Sequence, residues 1–116
     1  MVAVRPEPAD VLHVKRRIVE VATHMEGGEI DLLSGCRRIA ELRMGLDDEE
    51  MNDPDITTFV AIDSELDGHP MGPGRAHWPT EALAEKDRQR AQYLERVRDE
   101  VLRACREIRL KWSIEN

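Results

Sequence analysis

Carboxylate side chains alternate with other residues in the middle of the chain, next to a segment rich in proline and glycine. The run from Asp63 to Gly68 reads DSELDG and looks like the opening of a calcium-binding loop, which has acids at alternate positions and glycine at the sixth. The remainder of such a loop is missing, because the eighth position is Pro70 and the twelfth is Gly74, which supplies no carboxylate. We therefore interpret the run as an acidic helix end that leads into a turn.

Histidines offer a second candidate for a metal or catalytic site. His69 and His77 lie on the Pro/Gly-rich segment, where they could converge with the acids of the DSELDG run. His13 and His24 share one face of a predicted helix but are separated by about 16 Å, so one ion cannot bridge them. We expect exposed or hydrogen-bonded histidines, and we assign no metal and no cofactor.

Nucleophilic catalysis has little support in the sequence. Cys36 and Cys105 are far apart, form no Cys-x-x-Cys pair, and each lies among apolar residues of a predicted helix. This pattern favours reduced cysteines buried in the core. No serine lies in a Gly-x-Ser-x-Gly motif, and the Gly-x-x-x-x-Gly-Lys-Ser/Thr phosphate loop is absent. We assign no catalytic residue and regard an enzyme as the less favoured class.

The net charge of −7 is unevenly distributed along the chain. No lysine or arginine occurs from Met44 to Gly74, a stretch that we call the acidic window and that carries nine acids. Because these acids contribute −9, the rest of the chain has a net charge of +2. A centre without bases disfavours nucleic-acid binding, which depends on clustered Lys and Arg. Such a window either only keeps the protein soluble or speeds association with a basic partner.

Apolar periodicity predicts the helices that would position these side chains. The first runs from about residue 9 to 25 and ends at a Gly-Gly pair, and the second runs from about 31 to 44. Gly35, inside the second helix, would permit close approach of another helix. A third helical pattern covers residues 80–112 and predicts a long final helix.

The segment between the second and final helices is harder to interpret. An Asp-Pro pair at residues 53 and 54 resembles a helix N-cap followed by proline at the first helical position. Residues 56–62 also form a β-branched run that suits a strand, but no other segment offers a strand partner, so we choose a helix. Residues 67–79 hold three prolines and three glycines, which predicts an irregular loop that Trp78 pins to the core.

Together these elements predict an all-α protein, a three- to four-helix bundle with a long C-terminal helix and a Pro/Gly-rich loop before it. We expect a single domain over residues 1–116, with a flexible N-terminus over residues 1–8 and the loop over residues 67–79. The chain shows no basic stretch followed by an apolar run at its start, and no apolar stretch of about 20 residues. We therefore expect a cytoplasmic protein.

Several short segments resemble an uncharacterised family of small helical bacterial proteins. The resemblance covers roughly residues 28–110 and is most specific at IDSELD, residues 62–67. Its other matching residues are GCRR at 35–38, ACR at 104–106, and Pro70, Gly72, Arg75, Trp78, Leu83, Lys86 and Asp87. The resemblance implies a bacterial cytoplasmic protein but no reaction. The residues that it marks as a functional site or a structural salt-bridge network are Asp63, Glu65, Asp67, Arg75, Trp78 and Asp87.

The sequence supports three functional hypotheses. The leading one is a non-enzymatic protein-binding module whose acidic face engages a basic partner, for example an immunity-type protein that neutralises a basic bacterial toxin. Its candidate partner-binding residues are Asp47, Asp48, Glu49, Glu50, Asp53 and Asp55. The second is a small enzyme or metal-binding protein with its site at the 63–78 loop. The third is a structural homodimer that pairs through the C-terminal helix. We expect neither nucleic acid nor membrane as a direct partner.

Overall fold

Helices account for every regular element in the part of the chain that the structure describes. The computed structural model describes residues 8–67, 69 and 72–112. Its α-helices are α1 (Pro8–Glu26), α2 (Leu32–Leu42), α3 (Asp48–Met51), α4 (Pro54–Glu65) and α5 (Thr80–Trp112), and two 3₁₀ turns cover Arg43–Gly45 and Gly72–His77. No strand occurs among the described residues, which confirms the predicted all-α class. The predicted flexible N-terminus lies, through residue 7, outside them.

None of the described helices has the length and apolar content needed to cross a bilayer.

Local sequence explains where α2 and α4 begin. Asp31 caps α2, because its carboxylate accepts a hydrogen bond from the Ser34 amide at 3.0 Å. Asp53 caps α4 in the same way and accepts from the Asp55 amide at 2.8 Å, while Pro54 occupies the first helical turn. These interactions explain why α4 is a helix, as predicted, although its sequence is rich in β-branched residues.

Two details differ from the predictions. The loop predicted to be irregular over residues 67–79 contains a 3₁₀ turn from Gly72 to His77. Proline is compatible with such a turn, since it fixes φ near the value that 3₁₀ geometry uses. The single-turn helix α3 was not predicted, because its four residues are too few to show helical periodicity. The described residues therefore hold five α-helices, one more than the upper end of the predicted three to four.

Apolar faces of α1, α2, α4 and the C-terminal half of α5 enclose one core. Helix α5 contacts α1, α2 and α4, and α2 also packs against α1 and α4. The largest fully buried aromatic and aliphatic side chains in this core are Phe59, Ile18, Ile39, Leu46, Ile56, Leu66 and Ile108. The first fully buried residue of α5 is Val101, and before it the partly buried side chains of Tyr93, Leu94 and Val97 pack against the edge of the core.

A Schellman motif closes the turn between α1 and α2. The Glu29 amide donates a hydrogen bond to the His24 carbonyl at 2.9 Å, and the Gly28 amide donates to the Met25 carbonyl at 3.2 Å. Gly28 has a φ of 78°, in the left-handed region that glycine adopts without a steric penalty. The motif sets the direction in which the chain leaves α1 and thereby brings α2 against it.

Gly35 allows α1 and α2 to approach closely, as expected from its place inside a predicted helix. A Cβ atom at this position would overlap the side chain of Met25 from α1 and lie only 2.7 Å from its methyl carbon. Met25 is 2% exposed and sits in a packed core, so its side chain has little room to move aside. With any side chain at position 35, Met25 would have to move before the two helices could pack at this distance.

Replacing Gly35 with alanine is expected to destabilise the fold. The added methyl gains up to about 1 kcal/mol of helix propensity but displaces Met25, and overpacking a core costs about 1–3 kcal/mol. We expect the free energy of unfolding in urea to fall by about 1 kcal/mol. Gly74→Ala is the matched control, because a Cβ there meets no described atom within 4 Å. Equal stability of the two variants would contradict the close approach.

Candidate functional site

The acids of the acidic window fall into two groups in the structure. Glu50, Asp53, Asp55 and Asp63 form ion pairs with basic residues from other parts of the chain. The remaining five lie exposed at the surface, namely Asp47, Asp48, Glu49, Glu65 and Asp67, although Asp67 also lies 3.9 Å from Arg37. Half of the six predicted partner-binding residues therefore have partners within the chain, and the other half face solvent.

Two acids at the start of α4 bind the C-terminal end of α5. Lys111 Nζ lies 2.6 Å from Asp53 Oδ2 and 2.9 Å from Asp55 Oδ2. Arg103 approaches Asp55 at 3.5 Å, and Asp55 is 7% exposed. Burial by itself would lower the pKa of Lys111, but the hydrogen bonds to both carboxylates raise it above its usual value. This contact compensates a buried carboxylate and fixes α5 to α4.

A buried lysine holds the third internally paired acid, Glu50. Lys15 Nζ lies 2.7 Å from the Glu50 carboxylate and 5.1 Å from the centroid of the Trp112 ring. Burial is the main reason that the pKa of Glu50 is raised; a hydrogen bond with Asp47 adds to the rise, and Lys15 opposes it. Lys15 therefore connects α1 with α3 and with the end of α5.

The basic partners of these acids were missed in the sequence. Lys15 lies on the same face of α1 as Val11, Ile18 and Ala22, and this position in an apolar stripe was the available signal for a buried, paired charge. Lys111 gives no comparable signal, because it is one of many charged residues on α5. Its role follows only from the tertiary contact with α4.

The exposed acids Asp47, Asp48 and Glu49 form a surface feature with Met44 that we call the acidic turn. Asp47 caps α3 by accepting a hydrogen bond from the Glu50 amide at 2.9 Å, and its hydrogen bonds with Glu50 lower its pKa. Asp48 and Glu49 make no ion pair with any described residue. Met44 is 68% exposed in the 3₁₀ turn before them. The acidic turn thus presents an apolar side chain and three carboxylates to solvent within six residues of the chain.

A guanidinium–carboxylate pair fastens the second 3₁₀ turn to α5. Arg75 donates two hydrogen bonds to Asp87, at 2.8 and 2.7 Å, and Arg90 lies 3.2 Å from the same carboxylate. The hydrogen bonds from Arg75 hold the pKa of Asp87 below its usual value of 3.8. His69 Nδ1 lies 3.1 Å from the Lys86 carbonyl oxygen. These contacts attach the Pro/Gly-rich segment to the first half of α5.

The six residues that the family resemblance marks as a functional site or salt-bridge network are distributed over two ion-pair clusters and two exposed positions. One cluster is the pair just described, and in the other Arg37 lies 3.0 Å from Asp63 and 3.9 Å from Asp67. Glu65 is exposed. Trp78 was expected to pin the loop to the core, but it is 38% exposed and lies outside the buried cluster. The guanidinium–carboxylate pair holds the loop instead.

No group of three or more His, Cys, Asp or Glu that could hold a metal ion occurs in the described part of the chain. Asp63 and Asp67 face Arg37, which already supplies a positive charge to both carboxylates. His77 is exposed. The described part of the DSELDG run, residues 63–67, lies at the end of α4 and in the turn after it, which confirms its interpretation as an acidic helix end.

Both cysteines are free thiols buried in the core. Burial raises the pKa of Cys36 and that of Cys105 to about 12. Both thiols are therefore protonated near neutral pH, where a nucleophile would need the thiolate. The interpretation as reduced core cysteines is confirmed.

None of the family models, curated proteins or solved structures compared with this chain matches it. The resemblance to a family of small bacterial proteins therefore stays a prediction. Any function has to be inferred from the geometry of the acidic turn and of the clusters described above.

Removing the charge of Asp55 is expected to destabilise the fold far more than removing that of Asp48. Breaking a fully buried ion pair costs about 3–5 kcal/mol, but the partner side chain of Lys111 is 39% exposed. Solvent screening reduces the expected cost of Asp55→Asn to about 1–2 kcal/mol. Asp48→Asn should change stability by less than about 0.5 kcal/mol. Urea unfolding measures both changes in stability. Equal losses of stability would contradict the division of the acidic window into paired and exposed acids.

Asp87→Asn is expected to speed amide hydrogen exchange over residues 72–78, because Arg75 loses its charged partner. Lowering the pH should have the same effect on the wild type. Because the pKa of Asp87 is lower in the folded than in the unfolded chain, its pairing with Arg75 stabilises the fold fully above pH 3.8, and this stabilisation is lost as Asp87 is protonated below that pH. After correction for intrinsic exchange rates, Asp87→Asn should not show this increase in amide exchange at low pH. Glu85→Gln, which removes an exposed carboxylate paired with Arg88, is the control. An increase in exchange at low pH that persists in Asp87→Asn would refute the role of this carboxylate in holding the 3₁₀ turn.

Proposed function

We propose that the protein is a non-enzymatic protein-binding module whose acidic turn engages a basic partner protein. The observation that carries this proposal is the joint exposure of Met44 and of the carboxylates of Asp48 and Glu49. The internally paired acids Glu50 and Asp53 lie close by in the chain and hold the fold, so the exposed ones are left available for a partner.

An apolar side chain beside carboxylates suits a specific protein interface. Methionine adapts its shape to a partner and is enriched at interface centres. Exposed carboxylates speed the encounter with a positive surface and fix its orientation, an effect that weakens as salt is added. In the acidic turn Met44 would supply the contact area, and Asp48 and Glu49 would supply the charge complementarity.

The most specific form of the proposal is an immunity-type protein of the bacterial cytoplasm that neutralises a basic toxin. A nuclease toxin fits, because the surface with which it binds nucleic acid has to be positive. The net charge of −7 adds a long-range attraction to such a partner. The bacterial origin and the cytoplasmic location are what the family resemblance implies.

The two other hypotheses have less support. At the loop, Arg75 and Asp87 bind each other and His69 contacts a backbone carbonyl, so these groups already have partners. The homodimer hypothesis rests on the length of the C-terminal helix α5, on which Leu110 is a large apolar side chain that is 50% exposed. Mass measurement in solution tests it, because a monomer over micromolar concentrations would exclude a stable dimer.

Affinity capture from a lysate of the native host tests the proposal. The baits are the tagged wild type, the double variant Asp48→Asn/Glu49→Gln and the single variant Met44→Ala. We expect the wild type to retain a basic protein that is released as salt rises, and each variant to lose it. With the purified partner, the double variant should bind at least about tenfold more weakly, which corresponds to about 1.4 kcal/mol.

A matched control is available on α5. Asp99→Asn/Glu100→Gln changes the same residue types and the same net charge at two exposed positions. If this control retains the partner while the acidic-turn variants lose it, the acidic turn is the binding surface. Equal loss in both double variants would mean that net charge alone matters, and equal retention would exclude the acidic turn.

A further inference from the structure

The last two residues of α5 hold neighbouring parts of the acidic window. Lys111 Nζ lies 2.6 Å from Oδ2 of Asp53, the residue that caps α4. Trp112 lies beside Lys15, whose Nζ is 5.1 Å from the centroid of the Trp112 ring. Lys15 in turn binds Glu50 of α3 at 2.7 Å. We call Lys15, Lys111 and Trp112 the α3 anchor, because together they attach α3 and the cap of α4 to the end of α5.

Helix α3 depends on contacts of this kind because it has a single turn. A first helical turn fixes several backbone torsions for little hydrogen bonding, so a helix of four residues is not stable by itself. Its cap, Asp47, and the hydrogen bond from Arg43 to the Met51 carbonyl at 2.9 Å come from residues next to it in the chain. The partly buried Met51 side chain packs against the core. The α3 anchor adds an attachment to α1 and α5.

We propose that the α3 anchor couples the acidic turn to the last turn of α5, so that the two open and close together. In the closed state Asp48 and Glu49 are held in the one-turn helix, and in the open state residues 47–53 lose this arrangement. A partner that binds carboxylates already in place loses less conformational entropy than one that has to order them first. This consequence for binding rests on the proposed function, whereas the coupling within the chain does not.

Partial burial makes these contacts strong enough to couple the two elements. The side chains of Lys15 and Glu50 are 11% and 19% exposed, and that of Asp53 is 16% exposed. Ion pairs largely withdrawn from solvent are screened less than exposed ones, and a charge that loses its partner there is destabilised. Undocking of Trp112 also removes its ring from the Lys15 ammonium group. Opening of either element therefore weakens the other, since coupling between two sites is reciprocal.

Amide hydrogen exchange of the full chain without a partner tests the coupling. The four backbone amides of residues 50–53 report on α3, because each donates a hydrogen bond to an acceptor within residues 47–50. Lys15→Met and Lys111→Met keep an unbranched apolar stem and remove the ammonium group, so each should speed exchange of these amides at least about fivefold. Exchange in α2 should stay unchanged, because the core remains closed. Unchanged exchange at residues 50–53 in both variants would overturn the proposal.

Arg37→Met is the matched control for these exchange measurements. Arg37 binds Asp63 of the same acidic window at 3.0 Å, and its side chain is 33% exposed, close to the 39% of Lys111. The variant breaks a comparable ion pair at the other end of α4 and leaves the α3 anchor intact. We expect exchange at residues 50–53 to stay within about twofold of the wild type. Equal acceleration in Arg37→Met and Lys111→Met would indicate general destabilisation and would overturn the coupling.

The reverse direction of the coupling is tested at the cap of α3. Asp47→Ala removes the acceptor of the Glu50 amide, which should loosen α3 and speed exchange at residues 109–112 at least about threefold. Asp48→Ala removes the same charge but no capping hydrogen bond, so it should leave these amides unchanged. Equal exchange at residues 109–112 in the two variants would contradict the coupling.

With the partner identified by affinity capture, Lys111→Met separates the coupling from the proposed function. Its acidic turn is unaltered and its net charge is one unit more negative, which by itself favours a basic partner. It should nevertheless bind that partner at least about threefold more weakly than the wild type. Wild-type affinity together with faster exchange would overturn the effect of the coupling on binding. Failure of the wild type to capture any partner would reject the proposed function alone, because the exchange measurements use the protein without a partner.

Discussion

The buried stripe on the C-terminal half of α5 is the contact on which the rest of the fold depends. Val101, Ala104, Cys105 and Ile108 are fully buried, and α5 touches α1, α2 and α4. Without this stripe each of the three other long helices would expose its apolar face, since none of them covers the other two completely. Ion pairs at its edge, such as that of Arg109 with Glu26 at 2.9 Å, fix the helix in register.

Charge pairing around this core determines which acids remain available for function. Lys15 and Lys111 neutralise largely buried acids in α3 and at the start of α4, at distances of 2.6–2.9 Å. Asp47, Asp48 and Glu49 stay exposed at the surface, and they form the acidic turn with the exposed Met44 that precedes them in the chain. Fold stability and the proposed partner binding therefore draw on different residues of one acidic window.

The junction of α1, α2 and α5 depends on the same helix packing. Gly35 lets α1 approach α2, and α5 brings Cys105 Sγ within 3.8 Å of Met25 Sδ. Met25 therefore joins α1 to both α2 and α5 in the core.

The sequence by itself determined the helical class, the approximate ends of α1, α2, α4 and α5, the closeness of another helix to Gly35 and the burial of both cysteines. These features follow from local properties, namely apolar periodicity, capping residues and side-chain volume. The role of Trp78 was predicted wrongly, and α3 was too short to show a period. Only the tertiary structure decided which acids are paired, because an ion pair joins residues whose distance along the chain carries no information about their distance in space.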